Sequence, residues 1–594
     1  MRTTWMLAAA GAVIATMSAA GPAQAAPAPF GHACETATSK QGTFRACLTN
    51  ALAQRVPSWD GTPLDVDVHL PPTGDGPWPT VVWLHGFGNG KEAVTTQAEG
   101  YAARGYAALS LSARGYAQSC GAPASRTPDC ARGWIHVADQ RYELRDVQYL
   151  LGLLADQGVT IPDRIGATGS SYAGIQALQL GFLKDRIRLP DGRFAPWRSP
   201  AGKAMRVAGV APQLAWADMV AAVYPNGHFG RATTRTDTAT RRRPGFRLQS
   251  FYDLIRNGAQ FLNLIPPPGA DPSIEFQRWL ALTPEDLTTP AGRAALDQLH
   301  EYRSPLAIPG TPAPLMLVQG WTDNATPAAH ALAVYRTLRA RDPRAKVWMT
   351  LADFGHWRAM NKRRTNLNVG DRNIAFFEHF LRGRRGFFPP GQVTVYRSDC
   401  TRKRSDGPAI RAASYAALTR SKVSVADRGA AGTVTSEGGL ASVAKQVDPV
   451  ASQTHCPTIP VRAEPNTASL DLTVTRPFTY LGQGVIRARV RGTGGPRGQV
   501  VARLWHIERG RQRLLDRSVT RVDLPRRGVV RIELNGNAVQ LRRGEHVRLQ
   551  LLGRDAPTYE PPDQKFRIAV SDLELELPAR ERPGTGALAV RRPG

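Results

Sequence analysis

A chain of 594 residues exceeds one typical domain and is long enough for two with insertions. Its 76 basic residues against 48 acidic ones give a net charge of +28, which favours anionic cell-wall polymers or acidic substrates as surroundings. Only ten of the basic residues are lysine, the arginines are scattered and no nucleic-acid module is visible, so nucleic acid is not an expected partner. No Cys or His cluster has zinc spacing and there is no His-Glu-x-x-His, so neither a metal nor a cofactor is expected.

The chain opens with Arg2, an apolar run from Trp5 to Met17 and the small-residue sequence Ala23-Gln24-Ala25. This pattern predicts a signal peptide over 1–25, because the apolar run is too short to span a bilayer. No later apolar run approaches roughly 18 residues, so the expectation is a secreted protein with no membrane span. The six cysteines then read as disulfides, and sequence proximity pairs Cys34 with Cys47, Cys120 with Cys130 and Cys400 with Cys456, other pairings staying open.

From residue 66 onward, buried strands and amphipathic helices alternate. Strands are predicted over 66–70, 80–84, 106–111, 164–168, 207–211, 314–318 and 346–351. Helices are predicted over 91–104, 137–155, 327–340 and 372–381. Such alternation implies a mainly parallel sheet covered by helices on both faces. Residues 216–304 break the rhythm with helical stretches and aromatics but no buried strand, and read as a helical cap over the sheet. After Pro389-Pro390 come short alternating runs separated by Gly, Pro and Arg turns, the pattern of an all-β sandwich. The domain expectation is therefore an α/β unit over 26–390 and a β-sandwich over 391–594. The glycine-rich stretch 492–498 reads as a hairpin turn, not a phosphate cradle.

One stretch carries the chemistry: Gly169-Ser-Ser-Tyr-Ala-Gly174, with a short strand before it and the helix-forming run 175–183 after it. A serine exposed at a sheet tip sits on a sharp turn whose strand and helix approach closely, so only small residues fit beside it. Ser171 is the nucleophile expected there. A serine elbow needs a base, an acid and an oxyanion hole, in the chain order Ser, Asp, His. Asp323 follows the strand 314–318 in Gln319-Gly-Trp-Thr-Asp323, and His356 follows the next strand in Ala352-Asp-Phe-Gly-His356. Asp353 is the competing acid, three residues from His356 on one loop. His85-Gly-Phe-Gly88, after the strand 80–84, resembles a loop whose glycines turn a backbone N–H toward an oxyanion. The donors assigned are the N–H groups of Phe87 and Tyr172, and His85 itself is given a structural role. The cap and its surroundings supply aromatic candidates for a substrate pocket: Trp216, Tyr224, Phe251, Tyr252 and Trp321.

Together these residues resemble the X-prolyl dipeptidyl peptidase and cocaine esterase family: the elbow, the Gly-Trp-Thr-Asp323 acid, the base loop at His356, the cap and the β-rich C-terminal part. The resemblance implies an α/β-hydrolase fold with a helical cap and a C-terminal jelly roll. It also implies serine hydrolysis by Ser171, Asp323 and His356. One departure is that relatives commonly take an oxyanion donor from a tyrosine hydroxyl in a Pro-Tyr loop, where this chain has His85-Gly-Phe-Gly88. The first functional expectation is a secreted X-Pro dipeptidyl-peptidase-like exopeptidase, which needs a cap carboxylate for the substrate ammonium; Asp218, Asp253 and Glu275 are the candidates. The second is an acyl esterase with an apolar acyl pocket. The third, of another class, is a catalytically inactive cell-surface protein that binds wall polymers.

Overall fold

The computed structural model describes residues 28–227, 243–271, 279, 282, 286–356, 358–452 and 454–591. The apolar opening run with its cleavage site, and Glu275 of the cap, lie outside these residues.

Eleven strands build one mixed sheet. They are β1 (Cys34–Ser39), β2 (Gly42–Leu48), β3 (Val66–Leu70), β4 (Trp78–Trp83), β5 (Ala107–Leu111), β6 (Thr160–Ser170), β7 (Val207–Gln213), β8 (Leu315–Gly320), β9 (Val347–Ala352), β10 (Val393–Val395) and β11 (Ile410–Ala412). Their spatial order is β1-β2-β3-β5-β4-β6-β7-β8-β9-β10-β11. Neighbours from β5 to β10 run parallel, and the β1-β2-β3-β5 edge and β11 are antiparallel. Parallel neighbours require crossovers, and helices supply them on both faces. One face buries Leu109, Leu150, Leu178 and Leu332, and the other Val81, Tyr101, Trp348 and Phe377. The chain passes from β4 outward to β5 and then back across β4 to β6. That reversal opens a crevice at the carboxyl ends of β4 and β6, where open α/β sheets bind ligands.

The C-terminal part is a sandwich of two antiparallel sheets. One has the order Arg526–Glu533, Val485–Gly494, Phe566–Ala579, Phe478–Gly482, Asn537–Leu541, with Ser421–Thr435 also paired to Phe566–Ala579. The other runs Thr458–Pro460, Arg511–Asp523, Arg497–Glu508, His546–Leu552, Ala468–Val474, Leu588–Val590. Alternating inward residues such as Leu470, Ile486, Leu504, Leu549 and Leu575 fill the space between them. The disulfides join Cys34 to Cys47, Cys120 to Cys130 and Cys400 to Cys456.

Among the differences from the sequence reading, the helix expected over 372–381 is the longer Arg363–Arg382, and three others bear on the architecture. The helix expected over 137–155 is Glu143–Asp156, because Val137 and Ala138 have φ of 59° and 57° and cannot continue a right-handed helix. The boundary at 390 falls too early: β10 and β11 lie beyond it and complete the edge of the hydrolase sheet. Pro389-Pro390 marks only a turn back to that sheet, and a strand of three residues, Val-Thr-Val, does not reveal its partner. Finally, Val485–Gly494 and Arg497–Glu508 belong to different sheets, so the glycine-rich stretch between them crosses the sandwich instead of closing a hairpin.

Candidate active site

The site stands at the carboxyl end of the central strand. Ser171 follows β6, with φ 62° and ψ −123°, and the helix Tyr172–Leu183 begins immediately after it. The backbones of this helix and β7 nearly touch: a Cβ on Gly174 would lie 1.9 Å from the Gln213 carbonyl oxygen. The small residues after the serine are therefore a steric requirement of the elbow.

Two loops from the same sheet edge reach Ser171. The His356 Nε2 is 2.9 Å from Ser171 Oγ, and its Nδ1 is 2.7 Å from Asp323 Oδ2. The Asp323 carboxylate is buried and also accepts the N–H groups of Ala325 (2.8 Å), Thr326 (3.0 Å) and His356 (3.2 Å). Glycine before the histidine permits this approach, since a Cβ on Gly355 would lie 2.4 Å from Asp323 Oδ2. Burial alone would raise the Asp323 carboxyl, but His356 and the backbone donors outweigh it and hold it below the usual carboxylate value. Burial likewise opposes a charged His356, yet Asp323 lifts its value above the ordinary 6.5. Asp353 faces elsewhere: it accepts the Thr322 hydroxyl at 2.6 Å and lies 3.8 Å from the buried Lys362 ammonium.

On the other side of Ser171, Gly86–Asn89 form a turn closed by the Asn89 N–H on the Gly86 carbonyl (3.2 Å), with Gly88 at φ 79°. The Phe87 N–H occupies the second position of that turn and takes no part in its hydrogen bond. The Tyr172 N–H, first in its helix, has no acceptor within the helix. His85 accepts the Ala113 N–H at Nε2 (2.9 Å) and lies with Nδ1 2.8 Å from the Gly86 carbonyl; burial pushes it down to about 4, so it is neutral and holds the turn in shape.

The cap folds onto this edge as the helices Met219–Val223, Gln249–Phe261 and Pro290–Arg303. Between cap and elbow lies an open cavity that encloses about 620 Å³ including its mouth. It is lined by Ser171, Tyr172, Phe87, Val137, Trp216, Met219, Ala222, Val223, Leu248, Phe251, Tyr252, Ile255, Trp279 and Ala325. The Phe251 ring centre is 6.1 Å from that of His356. Trp216, Phe251 and Tyr252 are thus at the cavity as the sequence led us to expect, while Tyr224 and Trp321 are not. Tyr224 is buried with its ring 5.7 Å from the Arg247 guanidinium, and Trp321 donates to the Tyr396 carbonyl (3.1 Å) with its ring against Gly536 of the sandwich. An aromatic residue in the right segment says nothing about which way its side chain turns.

The sequence reading missed Glu143 and the loop it organises. Glu143, buried at the start of its helix, accepts the N–H groups of His136 (2.5 Å) and Asp139 (3.1 Å) and the Tyr172 hydroxyl (3.2 Å). Burial first, and Asp139 second, push its carboxyl up to about 7. The same Tyr172 hydroxyl accepts the Ala138 N–H (3.3 Å), so the loop carrying Val137 is tied to the first residue of the elbow helix. Leu248 and Ile255 of the cavity wall were also overlooked, although with Phe251 and Tyr252 they make the i, i+3, i+4, i+7 spacing that is the signature of one helix face.

Asp218 and Asp253, the ammonium-anchor candidates among the described residues, do not line the cavity. Asp218 caps the helix Met219–Val223 by accepting the Ala221 N–H (3.0 Å) and pairs with His300 of the helix Pro290–Arg303. Asp253 accepts from the Gln249 amide (2.8 Å). Among the described residues, no carboxylate lines the cavity.

Comparison with known proteins bears out the resemblance read from the motifs. Residues 60–186, which carry the elbow, match the family model described as X-Pro dipeptidyl-peptidase (S15 family). Residues 270–384, which carry Asp323 and His356, match the prolyl oligopeptidase family. No curated protein matches the chain. Among solved structures, the chain is similar to a CocE/NonD family hydrolase from Staphylococcus aureus, at 13% identity and a TM-score of 0.60 over 92% of this chain and 96% of that one. It is also similar to an aminopeptidase from a marine sediment Thaumarchaeota archaeon, at 13% identity and a TM-score of 0.56 over 95% and 98%. At these identities the likeness speaks to the fold, an α/β-hydrolase sheet with a β-sandwich behind it. The family matches point to an enzyme that hydrolyses peptide or ester bonds.

Proposed function

We propose that this chain, which resembles the X-Pro dipeptidyl peptidase and cocaine esterase family, is an exported serine hydrolase acting through an acyl-enzyme on substrates with a small apolar acyl group, esters foremost. Ser171 Oγ attacks the substrate carbonyl carbon while His356 Nε2 takes its proton; the Phe87 and Tyr172 N–H groups receive the oxyanion. His356 then returns the proton to the leaving group, and water repeats the sequence on the acyl-enzyme. Asp323 keeps the Nδ1–H tautomer and stabilises the imidazolium.

The observation that carries the ester reading is the cavity beside Ser171, whose walls are apolar and aromatic and, among the described residues, hold no carboxylate. A free substrate ammonium would lose its hydration there without a compensating charge. The X-Pro exopeptidase reading is the alternative, favoured by the family match over residues 60–186. Export rests on the leader pattern and is supported by the three disulfides.

The test is a rate comparison on the purified protein with a short-chain nitrophenyl ester, an Ala-Pro anilide and the same anilide acetylated at its amine. Fast ester cleavage with both anilides inert is the expected outcome. Fast release from the free-amine anilide alone would replace the ester reading with the exopeptidase one.

A further inference from the structure

Beyond the carboxyl end of β10, where the chain leads into the sandwich, an open cleft that shares no lining residue with the Ser171 cavity encloses about 1190 Å³ including its mouth. Its rim and floor carry five arginines: Arg397, Arg509, Arg511, Arg513 and Arg542. The acids beside them are already engaged. Glu545 accepts the Arg542 backbone N–H (2.7 Å) and lies 3.2 Å from His506 Nε2; Asp399 holds the N–H (2.9 Å) and hydroxyl (2.6 Å) of Thr401. Glu508 sits 3.8 Å from Arg509. Among the described residues, no carboxylate comes within 4.0 Å of the guanidinium groups of Arg397, Arg511, Arg513 or Arg542.

Three of these groups touch weak or neutral acceptors. Arg397 donates to the Gln540 side-chain oxygen (2.7 Å), and Arg511 to Thr458. Arg513, half-buried in the floor, has a sulfur of the Cys400–Cys456 disulfide 3.0 Å from its Nη1. Burial pulls its guanidinium below the usual value, and nearby carboxylates do not restore it. Guanidinium groups repel one another, and their planar forks match the geometry of oxyanions. The disulfide fixes the wall, joining the segment after β10 to the segment before Thr458–Pro460.

We propose that this cleft is a binding site for the phosphate or carboxylate groups of an anionic polymer, separate from the hydrolytic site. The repulsion among the arginines is relieved when such a group lies between them. A repeating anion suits an open cleft better than a single small ion, since successive charges along the chain meet successive arginines.

The experiment compares binding of polyphosphate and of polygalacturonate to the full chain by titration calorimetry at low and high salt. Two variants carry equal charge loss: Arg511→Ala with Arg542→Ala in the cleft, both exposed, and Arg363→Ala with Arg385→Ala on the hydrolase surface. Saturable, salt-sensitive binding that weakens about tenfold or more in the cleft variant, and less than about twofold in the surface variant, is expected. Arg513→Gln, checked for an unchanged melting transition, weakens binding as well, and ester hydrolysis stays at the parent rate in every variant. Binding of polyphosphate alone assigns a phosphate polymer, and of polygalacturonate alone a uronate polymer. Binding of neither, or equal weakening in the surface variant, overturns the proposal, the latter because the net charge of +28 would then be sufficient explanation.

Discussion

The serine at the elbow is held at φ 62°, a conformation that costs a non-glycine residue on the order of 1–3 kcal/mol, and the surrounding sheet and helix compel it. Ser171→Ala keeps the backbone and removes only the hydroxyl. It should lower kcat/KM on a nitrophenyl ester by roughly three orders of magnitude or more while leaving the unfolding midpoint unchanged. A variant retaining most of its activity would remove Ser171 from the chemistry. His356, the base proposed, titrates in a direction that its contact with Asp323 sets. Asp323 favours the charged imidazolium more than burial opposes it, so His356 keeps its proton to a pH above 6.5. Since only the neutral ring accepts the serine proton, kcat/KM should rise with pH through a midpoint above about 6.5 and be lost as pH falls through it. A midpoint below that of an unperturbed histidine in the pH–rate profile would contradict the Asp323 pairing.

At the scale of elements, the cap is fastened by the residue that sequence reasoning had offered to the substrate. Asp218 joins two cap helices, through the Ala221 N–H and His300. Burial would raise its carboxyl, but these partners outweigh it and hold it below the usual value, 3.8. The stabilisation is therefore present above pH ~3.8, the value it has when unfolded, and fades as pH drops through the lower folded value. Asp218→Asn should cost about 1–3 kcal/mol at pH 7 by urea unfolding, and raise KM more than it lowers kcat, since the cavity wall loosens while the triad stays. The deficit should narrow toward pH 3; a constant deficit would mean the charge is irrelevant. What was legible in the sequence follows the same division. The strands, and the meeting of Ser171, Asp323 and His356 at one sheet edge, were readable because each of the three residues sits just past an apolar run. The start of the Glu143 helix was not, because Val137 and Ala138 take positive φ in a loop whose Ala138 N–H is held by the distant Tyr172 hydroxyl, a contact that no local pattern encodes. Nor was the sheet membership of β10, which depends on a pairing with β9 that no local pattern encodes. Tyr224 and Trp321 show the same limit for pockets: composition names the segment, and packing decides the face.

In the whole molecule the sandwich is part of the site's foundation. Phe246 and Leu248 of the cap are buried against Val501, Val519, Leu552 and Tyr559 of the sandwich, so the cavity wall carrying Leu248 rests on the second domain. Arg358, two residues past the base, goes further. Its guanidinium donates to the Asn324 side chain (3.1 Å), beside the acid, and to the Leu514 carbonyl of the sandwich (2.8 Å). One buried side chain thus links both loops of the triad to the sandwich, and burial, with repulsion from Arg517, lowers it to about 10. Arg358→Met keeps the length and removes both bonds, each worth on the order of 1.5–3 kcal/mol when a charged donor is involved. Loss of stability alone would not distinguish a buttress from a positioning contact, so the comparison is with Arg336→Ala, which breaks another hydrolase–sandwich bond, to Gln483 (2.7 Å), away from the triad loops. Both variants should unfold at lower urea. Arg358→Met alone should lower kcat about tenfold with KM little changed, because a small displacement of the base costs transition-state stabilisation and not ground-state binding. If kcat falls equally in both, the sandwich supports the hydrolase only as a whole; if it falls in neither, the triad loops hold their geometry without the sandwich.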